Sequence, residues 1–369
     1  MKTRLFICLL LLFLLPGCSE DRQIENQAFA VILGLDVNAD GSLALTVQIP
    51  KPNGAGDQKQ AEKYQYISAS GQSFSEALEL LKLSSPHHLN LTQVKMIVAS
   101  ESLAGRESFP TVLSELAETY TLYATSWFVV CGGKTDDFLH RQEALLAGGA
   151  SSSLAAILEH HSRLGSIPFC TFADLYYHTN SVYSDPIAVY AAFPGDGSPI
   201  EEVPADVHPQ GLPVEQSEGI IYSGGALFRD GVMVGRLTAG EMMFCSLLRG
   251  RIHELNCAID EGAFYVQTAG RARLSYTLDQ DPMRILYDQT LHVYPRSGQD
   301  DTTELEDWLK ARIGEVVTKC QLVGVEPFAF SESAARTFPA LKDWQAFDWR
   351  SRFGNAELMF ELKLDLRKR

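Results

Sequence analysis

The sequence is poor in positive charge: its 369 residues hold 31 Lys and Arg against 46 Asp and Glu, a formal net charge of -15. Such a surface repels phosphate backbones, which argues against nucleic acid as a partner. It repels anionic lipid headgroups too, so attachment to a membrane has to come from something other than a basic patch. No apolar run reaches the roughly 20 residues a helix needs to cross a bilayer.

Cysteine is also scarce and badly spaced for a disulfide framework. Beyond Cys8 and Cys18 there are Cys131, Cys170, Cys245, Cys257 and Cys320. Five is odd, and no CxxC occurs, so these read as small buried hydrophobes, with one bridging pair left open. Catalytic signatures are missing as well. There is no GxSxG elbow, and His253-Glu254 begins an HExxH that does not continue. Gly132-Gly133-Lys134-Thr135 ends like a phosphate loop, but Phe128 stands where that loop requires glycine, so it reads as a turn after a strand. His87-His88 and His160-His161 are adjacent pairs, and adjacent side chains diverge on a helix or strand, so neither pair makes a metal site. Ser151-Ser152-Ser153 reads as a loop or cap, and Asp300-Asp301 and Glu201-Glu202 as solvated acids. Trp344 and Trp349, near Phe347, read as core or edge packing before they read as a surface for an apolar partner. No residue is assigned a catalytic, cofactor-binding or metal-ligating role, and the chain does not read as an enzyme.

What is present begins at the N-terminus. Lys2 and Arg4 precede an unbroken apolar run from Leu5 to Leu15, then Pro16, Gly17 and Cys18. A positive start, a short apolar core and a small residue before the cut make a secretory signal. Leu15-Pro16-Gly17-Cys18 resembles the bacterial lipobox, which implies cleavage before Cys18 and a diacylglycerol on its sulfur. Two acyl chains, at about 0.8 kcal/mol per buried methylene, anchor stably where one does not. Residues 1-17 are therefore expected to be a leader and residues 18-28 a lipidated tether.

The remainder, 46% hydrophobic and 10% aromatic, has the composition of folded domains. Phe29 to Leu35 and the alternating Leu43, Leu45, Val47 and Ile49 read as strands around an Asp40-Gly41 turn. Lys51 to Lys63 reads as a loop. Ser73 and Glu76 form a capping box before a helix with Phe74, Ala77, Leu78 and Leu81 on one face. Val94 to Ala99 and Thr125 to Cys131 read as strands, and Pro110 to Tyr120 and Leu154 to His161 as helices. Residues 194 to 213 carry five of 16 prolines, which no central strand tolerates. The chain is accordingly divided into an N-terminal α+β region, 29-193, a Pro-rich linker, 194-217, and a C-terminal α+β domain, 218-369; a long ordered loop within one domain is the other reading of the proline segment. Ile220 to Phe228 and Val232 to Leu237 then read as a hairpin, with Thr238 and Glu241 capping a helix. Tyr265 to Tyr276 and Ile285 to Tyr294 read as strands, and Thr303 and Glu306 as the cap of a long helix. Leu358 to Leu366 alternates without a break. Strands in hairpins with helices between groups predict α+β architecture, two to three domains, and mixed, largely antiparallel sheets.

These segments, in this order, resemble the C subunit of the spore germinant receptors, the Ger(x)C lipoprotein family. After the lipobox, Asp21-Arg22-Gln23-Ile24-Glu25 is similar to the family's opening, although Ser19 stands where the family often has Trp. Pro86-His87-His88-Leu89 with Val94 to Val98, then Gly225-Ala226-Leu227-Phe228 with Asp230 to Leu237, resemble its internal blocks. Gly324, Phe338-Pro339, Trp344 and Trp349 resemble its close, with Gln321 where an acid is expected. The resemblance implies three mixed α/β domains. It implies a non-catalytic docking subunit of a nutrient receptor, lipid-anchored at the outer face of the spore inner membrane, with the receptor's A and B membrane subunits as partners. Two other classes are distinguishable from it. A solute-binding lipoprotein predicts two similar α/β lobes around a deep polar cleft, and a lipoprotein hydrolase requires a nucleophile motif.

Overall fold

The computed structural model describes residues 26-51, 64-119, 124-145, 150-193, 221-259, 262-297 and 302-367. Two principal sheets and one two-stranded parallel ribbon hold its strands. α+β architecture with mixed sheets is what the residues build.

The first sheet starts from the hairpin of β2 (Ile32–Val37) and β3 (Leu43–Pro50), turned at Gly41 with φ +89. β4 (Tyr64–Gly71) pairs antiparallel with β3. On the other side of β2 come β6 (Met96–Ser100), β7 (Trp127–Cys131) and β8 (Ile187–Ala192), all parallel. β6 and β7 are buried at every position, as expected of parallel strands covered on both faces. Their alternate side chains separate into two cores. Ile97, Ala99, Phe128 and Val130 pack with α1 (Phe74–Ser84), α3 (Phe109–Ala117) and α6 (Phe172–Thr179). Met96, Val98, Val129 and Cys131 pack with Phe138 of α4 (Thr135–Leu145) and Leu154 and Leu158 of α5 (Ala150–Arg163). A four-residue helix, α2 (Glu101–Ala104), follows β6 directly.

The sheet does not stop at the Pro-rich segment. β9 (Ile221–Arg229) pairs antiparallel with β8, and β10 (Val232–Leu237) with β9. Strands from both sides of residues 194-217 therefore share one sheet.

The second sheet holds β11 (Glu254–Ile259), β12 (Gly262–Thr268), β13 (Arg273–Thr277), β14 (Arg284–Ser297) and β15 (Glu357–Leu366). The single strand expected over Tyr265 to Tyr276 is broken into two, because Gly270 sits at φ +88 and interrupts the ladder, and the chain then resumes in the same direction along β14. β12 and β13 pair antiparallel with opposite ends of β14, and β15 runs parallel to it from Arg284↔Glu357 to Val293↔Leu366. Helices α7 (Ala239–Leu248) and α8 (Thr303–Val323) pack on this sheet. The α7 capping box is present in full: Glu241 N–H donates to Thr238 Oγ1, and Thr238 N–H to Glu241 Oε2. The expected cap of α8 is not. Thr302, not Thr303, occupies the N-cap and makes no side-chain cap bond, whereas the apolar face from Leu305 to Cys320 is buried as its spacing predicts. The α1 box is half formed. Ser73 caps Glu76 N–H, but Glu76 reaches back to Gln72 N–H. The second core also takes in Ile187, Leu227 and Leu237 of the first sheet, so the two units are continuous through packed apolar side chains.

Candidate functional site

Two places gather polar side chains at the edges of this framework. The first is a cavity of about 270 Å³ where the segment before β8, the β9–β10 turn and three short C-terminal helices meet. These helices are α9 (Phe330–Ala335), α10 (Leu341–Phe347) and α11 (Trp349–Phe353). Arg350, on α11, donates through Nη2 to Asp185 Oδ1 at 2.5 Å and through Nη1 to Asp230 Oδ1 at 2.7 Å. Asp185 is buried, and its second oxygen accepts the Glu326 N–H at 2.9 Å. Burial pushes the Asp185 carboxyl up, and the Arg350 guanidinium pulls it back.

Glu326 lies beneath, 2% exposed. Its carboxylate accepts the backbone N–H groups of Phe328, Phe330 and Ser331 at 2.7, 3.2 and 3.0 Å, and the Ser331 hydroxyl at 2.5 Å. That hydroxyl also contacts the Tyr183 carbonyl. Burial raises the Glu326 pKa to about 7 against these hydrogen bonds, which favour the charged form. Trp344 Nε1 donates to the Val182 carbonyl at 2.8 Å, and its ring lies 5.6 Å from that of Trp349. Both tryptophans are buried, so they are packing residues of the junction. Chemically the cluster is a brace: it ties the loop ahead of β8 to the end of the second unit.

The second place is where the described chain begins. β1 (Gln27–Phe29) pairs parallel with β5 (His88–Asn90), and Asn90 Nδ2 donates to Gln27 Oε1 at 2.5 Å. A groove of about 840 Å³ against this ribbon is lined by Asn26, Gln27, Lys82, Leu83, His87 and His88. Leu83 is 81% exposed and Leu80 40%, although the opposite face of α1 is buried. The described chain therefore begins beside the solvent-facing Leu83.

Cys18, the one residue assigned a modification, lies outside the described residues, as do Glu201, Glu202, Asp300 and Asp301. His87 and His88 are exposed, and His161 is half-buried against Ser166 Oγ at 3.4 Å. Gly132 to Lys134 form the bend between β7 and α4, and Thr135 N–H donates to Asp36 Oδ2 at 3.2 Å. Ser151 to Ser153 lie in the first turn of α5. Cys131, Cys170, Cys245, Cys257 and Cys320 form no disulfide among the described residues, and all are buried. Gln321, where an acid was expected, donates to the carbonyls of Phe353 and Ala356, both at 2.9 Å; a carboxylate has no proton for either. Among the described residues, no helix is long and apolar enough to cross a membrane. Asp185, Glu326 and Arg350 carried no sequence signal, because the spacings between them follow no motif.

Sequence comparison accounts for nearly the whole chain. The family described as spore germination protein N-terminal domain matches residues 20–192, and the one described as spore germination B3/GerAC like, C-terminal, matches residues 223–369. The chain belongs to this spore germination family. Between the two GerAC-like matches lies the Pro-rich segment. A curated relative, spore germination protein KC of Bacillus subtilis (strain 168), is 29% identical over 133 residues, 34% of this chain. That match spans 32% of the relative's own length. The crystal structure of the GerBC protein has the same fold, with a TM-score of 0.54 at 12% identity, over 90% of this chain and 96% of that one. The GerAC-like family is named for spore germination and not for an enzyme activity. Its two unlike sheets are not the pair of similar lobes that a solute-binding lipoprotein predicts.

Proposed function

We propose that this chain is the lipid-anchored C-type subunit of a nutrient germinant receptor, a non-catalytic body that docks on the receptor's A and B membrane subunits at the outer face of the spore inner membrane. The observation that carries the reading is the coupling of two family matches, running through most of the chain, to Leu15-Pro16-Gly17-Cys18 a few residues ahead of β1. The order of parts is a leader, an acylated cysteine, a short polar tether and a folded body. Nine residues from Cys18 to Gln27 span at most about 30 Å when extended. The face built from β1, β5 and the end of α1 is thus held near the bilayer, and confinement raises the body's effective concentration near membrane partners without any new contact.

The test is Cys18→Ala in the sporulating cell. The variant is expected in the soluble fraction, with nutrient-triggered germination impaired, while germination by a route independent of nutrient receptors is unchanged. Intact-mass analysis of the native product should show Cys18 as the first residue, carrying the acyl mass. A membrane-bound variant with normal germination would refute the anchor, and an unmodified Cys18 in the native product would do the same.

A further inference from the structure

A cleft of about 930 Å³ lies where α6, the segment after α7, the break between β12 and β13, and α9 converge. Its charge is opposite to that of the chain. Arg249, Arg251, Arg271 and Arg336 line it, and Glu332 is the one acid in the lining, in a protein of net charge -15. Arg249 is held by its Nη1, which donates to the Pro327 carbonyl at 2.7 Å. Arg251, Arg271 and Arg336 are exposed, and none has a side-chain hydrogen bond or ion pair among the described residues. His178 sits at the same wall, donating to or accepting from Ser184 Oγ at 2.6 Å. Burial lowers its pKa, with Arg249 and Arg251 lowering it further and Glu332 and Asp174 opposing them. The cleft's inner wall is apolar: Leu247, Leu248, Ile252 and Phe328 are buried.

We propose that this cleft is a binding site for a small organic polyanion, a molecule with two or more carboxylate or phosphate groups on an apolar frame. Guanidinium groups present fixed forks of N–H donors that match both kinds of oxyanion. Three such forks stand without an anion in a chain that has acids to spare. The volume is that of a small-molecule site, on the order of 300 to 1,000 Å³, and an apolar wall with a few placed charges is the usual make-up of one. The ligand would touch α6, which packs on the first sheet, and α9, which packs on the second, and so clamp the two. The site is independent of the anchor and goes beyond the docking role.

The experiment is calorimetric titration of the purified full chain with citrate, pyrophosphate and benzene-1,3,5-tricarboxylate, each against chloride at matched ionic strength. Saturable binding of at least one is expected. Arg251→Ala/Arg336→Ala should weaken it about tenfold or more, while Lys82→Ala/Lys363→Ala, outside the cleft, should leave it unchanged. Because Arg251 and Arg336 are exposed and unpaired, the double variant should keep the wild-type melting temperature; should it not fold, Arg271→Ala alone must show the same direction of loss. No saturable binding of any of the three, or equal binding by the double variant, overturns the proposal. Binding of an octaglutamate peptide alone, lost in the double variant, also overturns it and assigns the cleft to an acidic protein segment.

Discussion

Arg350 and Asp185 are 165 positions apart and in direct contact, Nη2 to Oδ1 at 2.5 Å. The carboxylate is almost wholly buried and the guanidinium is 40% exposed. The pair joins the loop ahead of β8 to α11, and with the second bond from Arg350 to Asp230 in the β9–β10 turn it ties the first sheet to the last helix.

Arg350→Ala leaves Asp185 buried with only the Glu326 N–H to meet it. Removing one partner of such a pair is costly, and with the discount for an exposed guanidinium the expected loss is about 2 to 3 kcal/mol. Chemical denaturation should read this loss, and the double variant with Asp185→Asn should recover part of it. A double variant no more stable than the single would mean that the charge on Asp185 is not the cause.

Glu326 makes stability depend on pH. Its pKa rises from 4.5 to about 7 on folding, so between these values the folded chain holds a proton that the unfolded chain has released. Stability should therefore fall as pH rises through that window, by up to about 3 kcal/mol for the full shift. Asp185, also raised, acts in the same direction. His161 and His178, lowered by burial, act in the opposite one. Glu326→Gln isolates the group: melting temperatures from pH 4.5 to 7.5 should show a flatter slope than wild type, although the amide lowers stability throughout. An unchanged slope would remove Glu326 as the source.

Gly224 has φ +98, and a Cβ there would lie 2.0 Å from the Leu237 carbonyl oxygen. The hairpin of β9 and β10 closes onto this backbone. Gly224→Ala should cost at least about 2 kcal/mol, since both the dihedral and the contact oppose it. Gly250→Ala is a useful contrast. It shares a positive φ of +63 but meets nothing within 4 Å, so it should cost only the dihedral part. Equal losses in the two would discard the steric account.

The five described cysteines should be silent to thiol reagents. All are buried and form no disulfide among the described residues, and burial raises the Cys245 thiol to about 12, with Cys131, Cys170 and Cys320 also pushed up. A thiol at that pKa has almost no reactive thiolate at neutral pH. Mass spectrometry after maleimide treatment should find no adduct on these residues in the folded chain, and adducts on all five after denaturation. Fast labelling of any one in the folded state would contradict its burial.

Local patterning made much of the fold readable. β15 announced itself by strict alternation, α8 by the spacing of Leu305 to Cys320, and the β2–β3 and β9–β10 hairpins by Asp-Gly turns. What patterning does not carry is pairing across distance. Val94 to Ala99 reads as a strand, but nothing local says that it lies parallel to β2 and β7. β4 gives no clear strand signal because Tyr64 to Gly71 alternates with small polar residues, nor does β8, because Ile187 to Ala192 is an apolar run too short to separate from a helix turn. α6 does carry a local signal, since Thr171 and Asp174 form a complete capping box. The polar sites were harder still. Arg249, Arg251, Arg271 and Arg336 come from three separate segments, none with a motif of its own, and only the break in the strand at Gly270 and the packing of α9 bring them to one cleft.

The pairing of β8 with β9 has a bearing on what happens when the chain is cut. Both strands flank residues 194-220, so a protease that severs that stretch breaks the covalent link and leaves the ladder intact. The two pieces would remain together as a split protein, each completing the other's sheet. Expressed apart, the upstream piece would present the bare backbone edge of β8 to any neighbour, and its solubility would depend on the arrival of the second.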